Sequence, residues 1–269
     1  MLTRPIPKTN EPLPLIGLGT WQTFDVPRTS VPQLAAVLQP FAAAGGKVID
    51  SSPMYGKAEE RVGDAREHVP HAFLATKVWT SGRDHGIEQM RRSMRLLRAD
   101  VIDLMQVHNL VDWRTHLRTL CEWKDAGRFR YIGITHYQAG AFPQLESIIK
   151  SEEIDFVQLP LSVELPDAER SLLPLCQLRR VAVLVNRPFE GGTLFRHVRH
   201  KPLPPWAEEL ESRSWAELFL RYVVSHPAVT CAIPATSSAK HLAENLRAGE
   251  GRMLTMEERA RLRKLIVSF

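Results

Sequence analysis

Short apolar runs alternate along this chain with longer stretches in which apolar residues recur every three or four positions. Runs too short for helices, separated by amphipathic ones, predict a parallel sheet with helices packed against it. The strand-like runs fall at 15–20, 48–52, 73–78, 101–108, 132–136, 156–161, 182–187 and 231–235. Eight such strands are what a closed barrel requires, so the expected fold is α/β, a (β/α)8 barrel of the TIM type. Helix ends are also marked. Ser30 with Gln33 reads as a capping box before Leu34, Leu38 and Phe41, with Gly45 as the stop; Ser214 with Glu217 and Thr255 with Glu258 repeat the device. Ile87, Met90, Met94 and Leu97 share one face of the third helix, and Arg91, Arg92, Arg95 and Arg98 lie elsewhere, as a solvated outer helix would place them.

Composition narrows this little. A chain of 269 residues, 44% hydrophobic and 24% charged, reads as one domain spanning 1–269, because a single barrel needs about 250 residues and no biased linker divides the sequence. The Pro-rich stretch 201–206 reads as a loop. A net charge of +5 and a pI near 9.3 favour anionic ligands such as phosphorylated cofactors. The basic residues are dispersed, so no nucleic-acid partner is expected. Cys121, Cys176 and Cys231 are far apart, form no CxxC pair and have no histidine at metal-site spacing, so they read as reduced packing residues of a cytoplasmic protein with no metal centre. No secretory leader and no membrane-length apolar run is visible.

In a barrel of this kind the chemistry collects where strands end and the following loops begin. The second strand delivers Asp50 and, past Ser51, Ser52 and Pro53, Tyr55; the third ends in Lys77 and the fourth in His108. Thr135 and His136 close the fifth, Gln158 lies on the sixth, Asn186 and Arg187 end the seventh, and Thr236, Ser237 and Ser238 follow the eighth. A free phenol has a pKa near 10, and an adjacent ammonium lowers it. Lys77 is placed to supply that charge, Asp50 to pair with Lys77, and His108 to donate a hydrogen bond to a carbonyl oxygen that Tyr55 protonates as general acid. No side chain is a hydride source, so a reduced nicotinamide is the expected reductant. Asp50 as a mere turn cap and Tyr55 as an ordinary half-buried aromatic would be the bland alternative.

With GLGTW in the first strand, then VIDSSPMYGKAEERVG, TKVW, LMQVH and the late IPATSSAKHLAEN, nearly the whole chain resembles an aldo/keto reductase. That resemblance implies a (β/α)8 barrel, a catalytic tetrad at Asp50, Tyr55, Lys77 and His108, and reversible NAD(P)H-dependent reduction of aldehydes or ketones to alcohols. It assigns cofactor contacts to Thr20, Asp50, Gln158, Pro188, Ile233 and Asn245, with Gln158 on the nicotinamide amide. Where the family usually has Ser-Asn this chain has Thr135 and His136, and its usual stacking aromatic aligns with Asn186, leaving Phe189 or the Arg187 plane to cover the ring. Gly191 and Gly192 would let the backbone approach the pyrophosphate. Positions that often hold Lys and Arg for the adenosine phosphate carry Ala235 and His241, so Thr236, Ser237, Lys240 and helix amides are left to hold it. NADP(H) is the expected cofactor, with NAD(H) as the alternative. Arg196, His197, Arg199, His200 and Lys201 form an exposed basic loop that could reach the pyrophosphate.

Trp21, Met54 and Trp79 follow the first three strands and are candidate walls for a small-molecule carbonyl substrate. The chain stops at Phe269, soon after its last helix, so an open barrel mouth is expected. Other chemistries compete. A Schiff-base aldolase would use Lys77 as nucleophile but has no use for Asp50 and Tyr55 together, and a metal-dependent hydrolase would need histidine ligands that the first strand lacks. A regulatory or redox-sensing nicotinamide binder on the same fold is the serious rival, favoured by the changes at Thr135, His136 and Asn186 and opposed by the intact tetrad.

Overall fold

Successive side chains of a strand point to opposite faces, so every second residue of each apolar run should look the same way. A computed structural model describing residues 1–269 shows that they do. Val48, Phe73, Ala75, Leu104, Tyr131, Phe156, Ala182, Leu184, Cys231 and Ile233 form one buried cluster. The residues between them, including Ile49, Leu74, Met105, Ile132, Val157 and Val183, join a larger cluster with the helices. The first set fills the barrel and the second joins strands to the helical layer.

The barrel strands are preceded by a hairpin, β1 (Thr3–Pro5) and β2 (Pro12–Pro14), paired antiparallel. The barrel itself runs β3 (Leu18–Gly19), β4 (Val48–Asp50), β5 (Phe73–Val78), β6 (Ile102–His108), β7 (Phe129–Thr135), β8 (Phe156–Pro160), β9 (Ala182–Asn186) and β10 (Cys231–Ala232). These make an eight-stranded sheet in sequential order with every neighbouring pair parallel. Bridges of Ile16 to Ala232 and Gly19 to Ala235, with the Gly17 amide donating to Ala232 at 2.8 Å, join the last strand to the first. The sheet therefore closes, as expected of a (β/α)8 fold. Glycine is needed at 17 because a Cβ there would lie 2.9 Å from that of Val48.

Sequence and structure differ in several places: the second barrel strand stops at Asp50 rather than at 52, and the fifth begins at Phe129 rather than at 132. The end strands are shorter than 15–20 and 231–235, because at the closing seam only isolated bridges continue them. The hairpin was not expected, since Pro5, Pro12 and Pro14 obscure a strand pattern; prolines fit here because a two-stranded edge leaves amides free of ladder duty. Its Ile6 and Leu13 cover the amino-terminal mouth of the barrel. Ser30 caps nothing: it ends a 3-10 turn (Arg28–Ser30) that runs straight into α1 (Val31–Ala43), with φ −91° and ψ 3° that keep its side chain from the helix amides.

Other helix signals hold. Gly45 takes φ 81° after α1, and α2 (Ala58–Asp64) follows β4. On α3 (Arg83–Leu96) Met90 is buried while Arg91, Arg92 and Arg95 are exposed. Then come α4 (Trp113–Asp125), α5 (Phe142–Ser151), α6 (Leu172–Leu178) and α7 (Leu194–His197). Residues 201–204 are irregular and lead into a 3-10 turn (Pro205–Leu210) that buries Trp206. Ser214 caps α8 (Trp215–Val224), although Glu217 reaches back to the Arg213 amide and not to that of Ser214, so the box expected there is incomplete. Ser238 caps α9 (Ala239–Arg247), and Thr255 with Glu258 forms a complete capping box on α10 (Met256–Val267). No helix is long and apolar enough to cross a membrane.

Candidate active site

The same period of two that fills the barrel carries its inward face up to the carboxyl ends of the strands, where the residue types change. Phe73 and Ala75 lead to Lys77, Leu104 to Gln106 and His108, Tyr131 to Thr135, Phe156 to Gln158, and Leu184 to Asn186. Parallel register brings these ends level: Lys77 lies beside Gln106, His108 beside Thr135, and Thr135 beside Gln158.

Asp50 and Lys77 form an ion pair of 2.7 Å with each partner at most 2% exposed. Isolated charges so deep would be strongly unfavourable, and the site compensates them with hydrogen bonds. Lys77 Nζ also donates to the Ser51 carbonyl at 2.6 Å. The Asp50 carboxylate accepts from the amides of Gln106 at 3.4 Å and Gln158 at 3.3 Å. Desolvation pulls the Lys77 ammonium down, but Asp50 and Tyr55 hold it up, and the net shift is upward, so it stays charged. Thr20 locks the same corner, its hydroxyl donating to the Asp50 carbonyl at 3.0 Å.

Tyr55 is partly buried, with Lys77 Nζ 5.1 Å from its ring centroid and the His108 ring edge-on at 5.9 Å. Burial pushes its phenol above the ordinary value; Lys77 opposes this, and Asp50 adds to it. The lowered phenol pKa expected from the ammonium is thus not the net result. In the free protein Tyr55 is a protonated donor held near a cation that would stabilise the phenolate left behind. The loop that carries it is pinned from outside: Asp25 accepts the Lys57 amide at 3.0 Å, and Gly56, at φ 60°, leaves room for that carboxylate. His108 is pushed down to about 2 by burial, by Lys77 and by His136, so it is neutral across the working range. Its Nδ1 lies 2.9 Å from Ser52 Oγ.

Around these groups opens a cavity of about 690 Å³, within the range of small-molecule sites. Thr20, Asp50, Lys77, Tyr55, His108, Thr135, Gln158, Asn186, Arg187, Pro188, Phe189, Gly191, Gly192, Ile233 and Ala235 all line it, as do Trp21, Met54 and Trp79. Those last three are 40–44% exposed, as a rim would be. Gln89 grips the Trp79 backbone at both its amide, 2.5 Å, and its carbonyl, 3.1 Å.

Six of the expected residues stand apart from this cavity. His136 turns away, its ring stacked on Tyr137 at 5.5 Å and its Nδ1 accepting the Gln138 amide. The Thr236 hydroxyl is occupied by the turn that leads to Ser238. Ser237, Lys240 and His241 are exposed, and Asn245 is buried. Of the expected basic loop, Arg196 and His197 end α7, His197 is engaged by Glu164 at 2.6 Å, and Lys201 covers the Phe269 ring. Phe189 packs on Phe195 at 5.0 Å, whereas the Arg187 guanidinium lies 5.9 Å over Tyr137.

A set of complementary acids, a neutral imidazole and an open cavity on one barrel mouth can protonate a carbonyl oxygen as its carbon is reduced. The profile described as the Aldo/keto reductase family matches residues 15–267. The chain belongs to the aldo/keto reductase family. An aldo-keto reductase of Mycolicibacterium smegmatis is 31% identical over 87% of this chain and 82% of its own. Methylglyoxal reductase YeaE of Escherichia coli is 26% identical over 87% of this chain and 84% of its own. A crystal structure of an aldo/keto reductase from Klebsiella pneumoniae with NADP and acetate superposes with a TM-score of 0.82 at 25% identity, covering 96% of this chain and 93% of that one.

Sequence reasoning missed several residues of this aldo/keto reductase site. Gln106, Ser51 and Ser52 are hidden inside runs read as strand. A signal existed for Gln106, because it precedes His108 by two and so shares its face. Tyr137, Gln22 and Asn109, in loops, and Phe195, on the short α7, also line the cavity at places that strand-end counting does not reach.

Proposed function

We propose that this aldo/keto reductase carries out NAD(P)H-dependent reduction of aldehydes or ketones to alcohols, reversibly, with NADP(H) as preferred cofactor and residues 1–269 acting as one domain. The observation that carries the reading is the buried Asp50–Lys77 pair set against Tyr55 and a neutral His108 in one cavity. The residues fit a nicotinamide cofactor. Gln158 Oε1 and Asn186 Oδ1 are buried without a partner on the cavity wall, two acceptors suited to a carboxamide N–H. Gly191 and Gly192, at φ 66° and 95°, present open backbone there, and the NADP-bound Klebsiella relative supports the same class of ligand.

When bound, the reduced nicotinamide supplies hydride to the carbonyl carbon. The Tyr55 hydroxyl gives its proton to the carbonyl oxygen, and Lys77, held charged by Asp50, stabilises the phenolate that remains. His108 donates a hydrogen bond to the same oxygen and orients it. Trp21, Met54 and Trp79 exclude water from one side, and Arg187 beside Tyr137 offers a flat surface where Asn186 replaces an aromatic platform. Thr236, Ser237, Lys240 and His241, around the α9 amino terminus, and Asn245, further along that helix, would hold the adenosine end. Three free thiols, two of them buried, support a reducing cytoplasmic setting.

Titration with NADPH and with NADH, followed by tryptophan quenching and then by cofactor oxidation over a panel of aldehydes and diketones, tests this reading. Binding with oxidation is the expected result. Binding without oxidation across the panel would instead favour a nicotinamide-binding regulator.

A further inference from the structure

We propose that Ser52 is a positioning residue that fixes His108 in the tautomer carrying its proton on Nε2, so that the imidazole donates into the cavity. The kinetic consequence rests on the carbonyl-reductase reading, while the tautomer itself does not.

A neutral imidazole has one N–H and one bare nitrogen, and only the N–H can donate to a carbonyl oxygen. Which nitrogen holds the proton is decided by the partner of the other. Here Nδ1 faces Ser52 Oγ at 2.9 Å, with Ser52 fully buried and His108 6% exposed. The hydroxyl accepts the Met54 amide at 3.4 Å, and His108 Nδ1 is the acceptor in reach of its proton. Ser52 therefore donates to Nδ1, which must be bare, and the proton sits on Nε2.

The reverse arrangement fails twice. An Nδ1–H pointing at Ser52 Oγ would leave the serine proton buried with no acceptor. It would also turn the bare Nε2 toward the cavity that His108 lines, where its lone pair would repel a carbonyl oxygen. The imidazolium, which would donate from both nitrogens and make the serine irrelevant, is suppressed by burial and by Lys77. The same residue also aims the acid: the Tyr55 amide donates to the Ser52 carbonyl at 3.0 Å. Ser52 thus couples the two groups that would meet the carbonyl oxygen, its backbone through Tyr55 and its hydroxyl through His108.

The test is nitrogen NMR of the full chain labelled at histidine, with the His108 signals assigned by their loss in His108→Gln. In the wild type, Nδ1 should appear as a bare, hydrogen-bond-accepting nitrogen and Nε2 as protonated. Ser52→Ala should shift both signals toward a tautomer mixture and lower kcat by about tenfold, the scale of one hydrogen bond, with cofactor affinity unchanged. Ser52→Thr, which restores the hydroxyl, should recover both. A wild-type His108 protonated on Nδ1, or an unchanged tautomer in Ser52→Ala, overturns the proposal. The expected spectra together with no turnover on any carbonyl would uphold the tautomer and count against the reductase reading.

Discussion

The two mouths of this barrel are built from the same strands and the same alternate positions, yet they differ in every chemical respect. At the amino-terminal mouth the inward residues are Val48, Phe73, Tyr131 and Phe156, covered by Ile6 and Leu13 of the hairpin. Three of their rings pack at centroid distances of 5.4–6.0 Å. Only the Tyr131 hydroxyl breaks the apolar surface, and it reaches out to Glu11 at 2.6 Å. At the carboxyl mouth, two or four residues further along each strand, the inward positions hold Asp50, Lys77, Gln106, His108 and Gln158, and the end is open. One mouth supplies net stability. The other holds buried polar groups that cost stability unless mutually satisfied, and it holds them because a reaction needs them there.

If that division is right, substitutions at the two mouths should have opposite signatures. Tyr55→Phe removes one hydroxyl from the open end, so carbonyl reduction should fall by about a hundredfold or more, while cofactor binding and melting temperature stay close to wild type. Normal turnover in that variant would remove Tyr55 from the chemistry. Phe156→Ala, at the sealed end, should cost about 3–5 kcal/mol in chemical denaturation and leave the KM for cofactor nearly unchanged in the fraction that is folded. A large KM change without loss of stability would show that the two mouths are mechanically coupled.

Most of this division could be read before any coordinates. Short apolar runs with polar ends identify the strands, and their order places Asp50, Lys77, His108 and Gln158 at one mouth, because parallel strands all finish on the same side. What stayed hidden has identifiable causes. The hairpin is disguised by prolines. Gln106 looks like strand filler until the pleat assigns it a face, Ser52 lies just past the end of β4 where no strand ladder marks its direction, and Tyr137 reaches the cavity from a loop. The phenol's direction of shift depends on a balance between burial and a charge, and residue types alone do not set that balance.

His108 distinguishes the mouths through pH. The unfolded chain binds a proton there near pH 6.5, whereas the folded site resists until about 2. Between those values the unfolded state holds more protons, so stability falls as pH falls. The loss should reach about 2 kcal/mol near pH 5. His108→Asn cannot titrate, so the wild-type advantage in unfolding free energy, compared between about pH 7.5 and pH 5, should shrink by that amount. A constant difference would mean the folded imidazole takes up its proton after all.

The smallest effect expected lies at the seam where β10 meets β3. Ala235 ends the inward row of the last strand, yet it is exposed and lines the cavity, so a longer side chain can be carried there without displacing packed atoms. Family resemblance puts a cation at this position to face the adenosine phosphate. Ala235→Lys should therefore tighten NADPH by about tenfold and change NADH little, since only the former has a 2′-phosphate to meet the ammonium. Because the site is exposed, the gain should fade as salt is raised from about 0.05 M to 0.5 M. Equal tightening of both cofactors would place the phosphate elsewhere and make the added charge a general attraction to the pyrophosphate. A selective, salt-sensitive gain would show that the open mouth accepts a new polar function without a matching loss of stability, which the sealed mouth could not do.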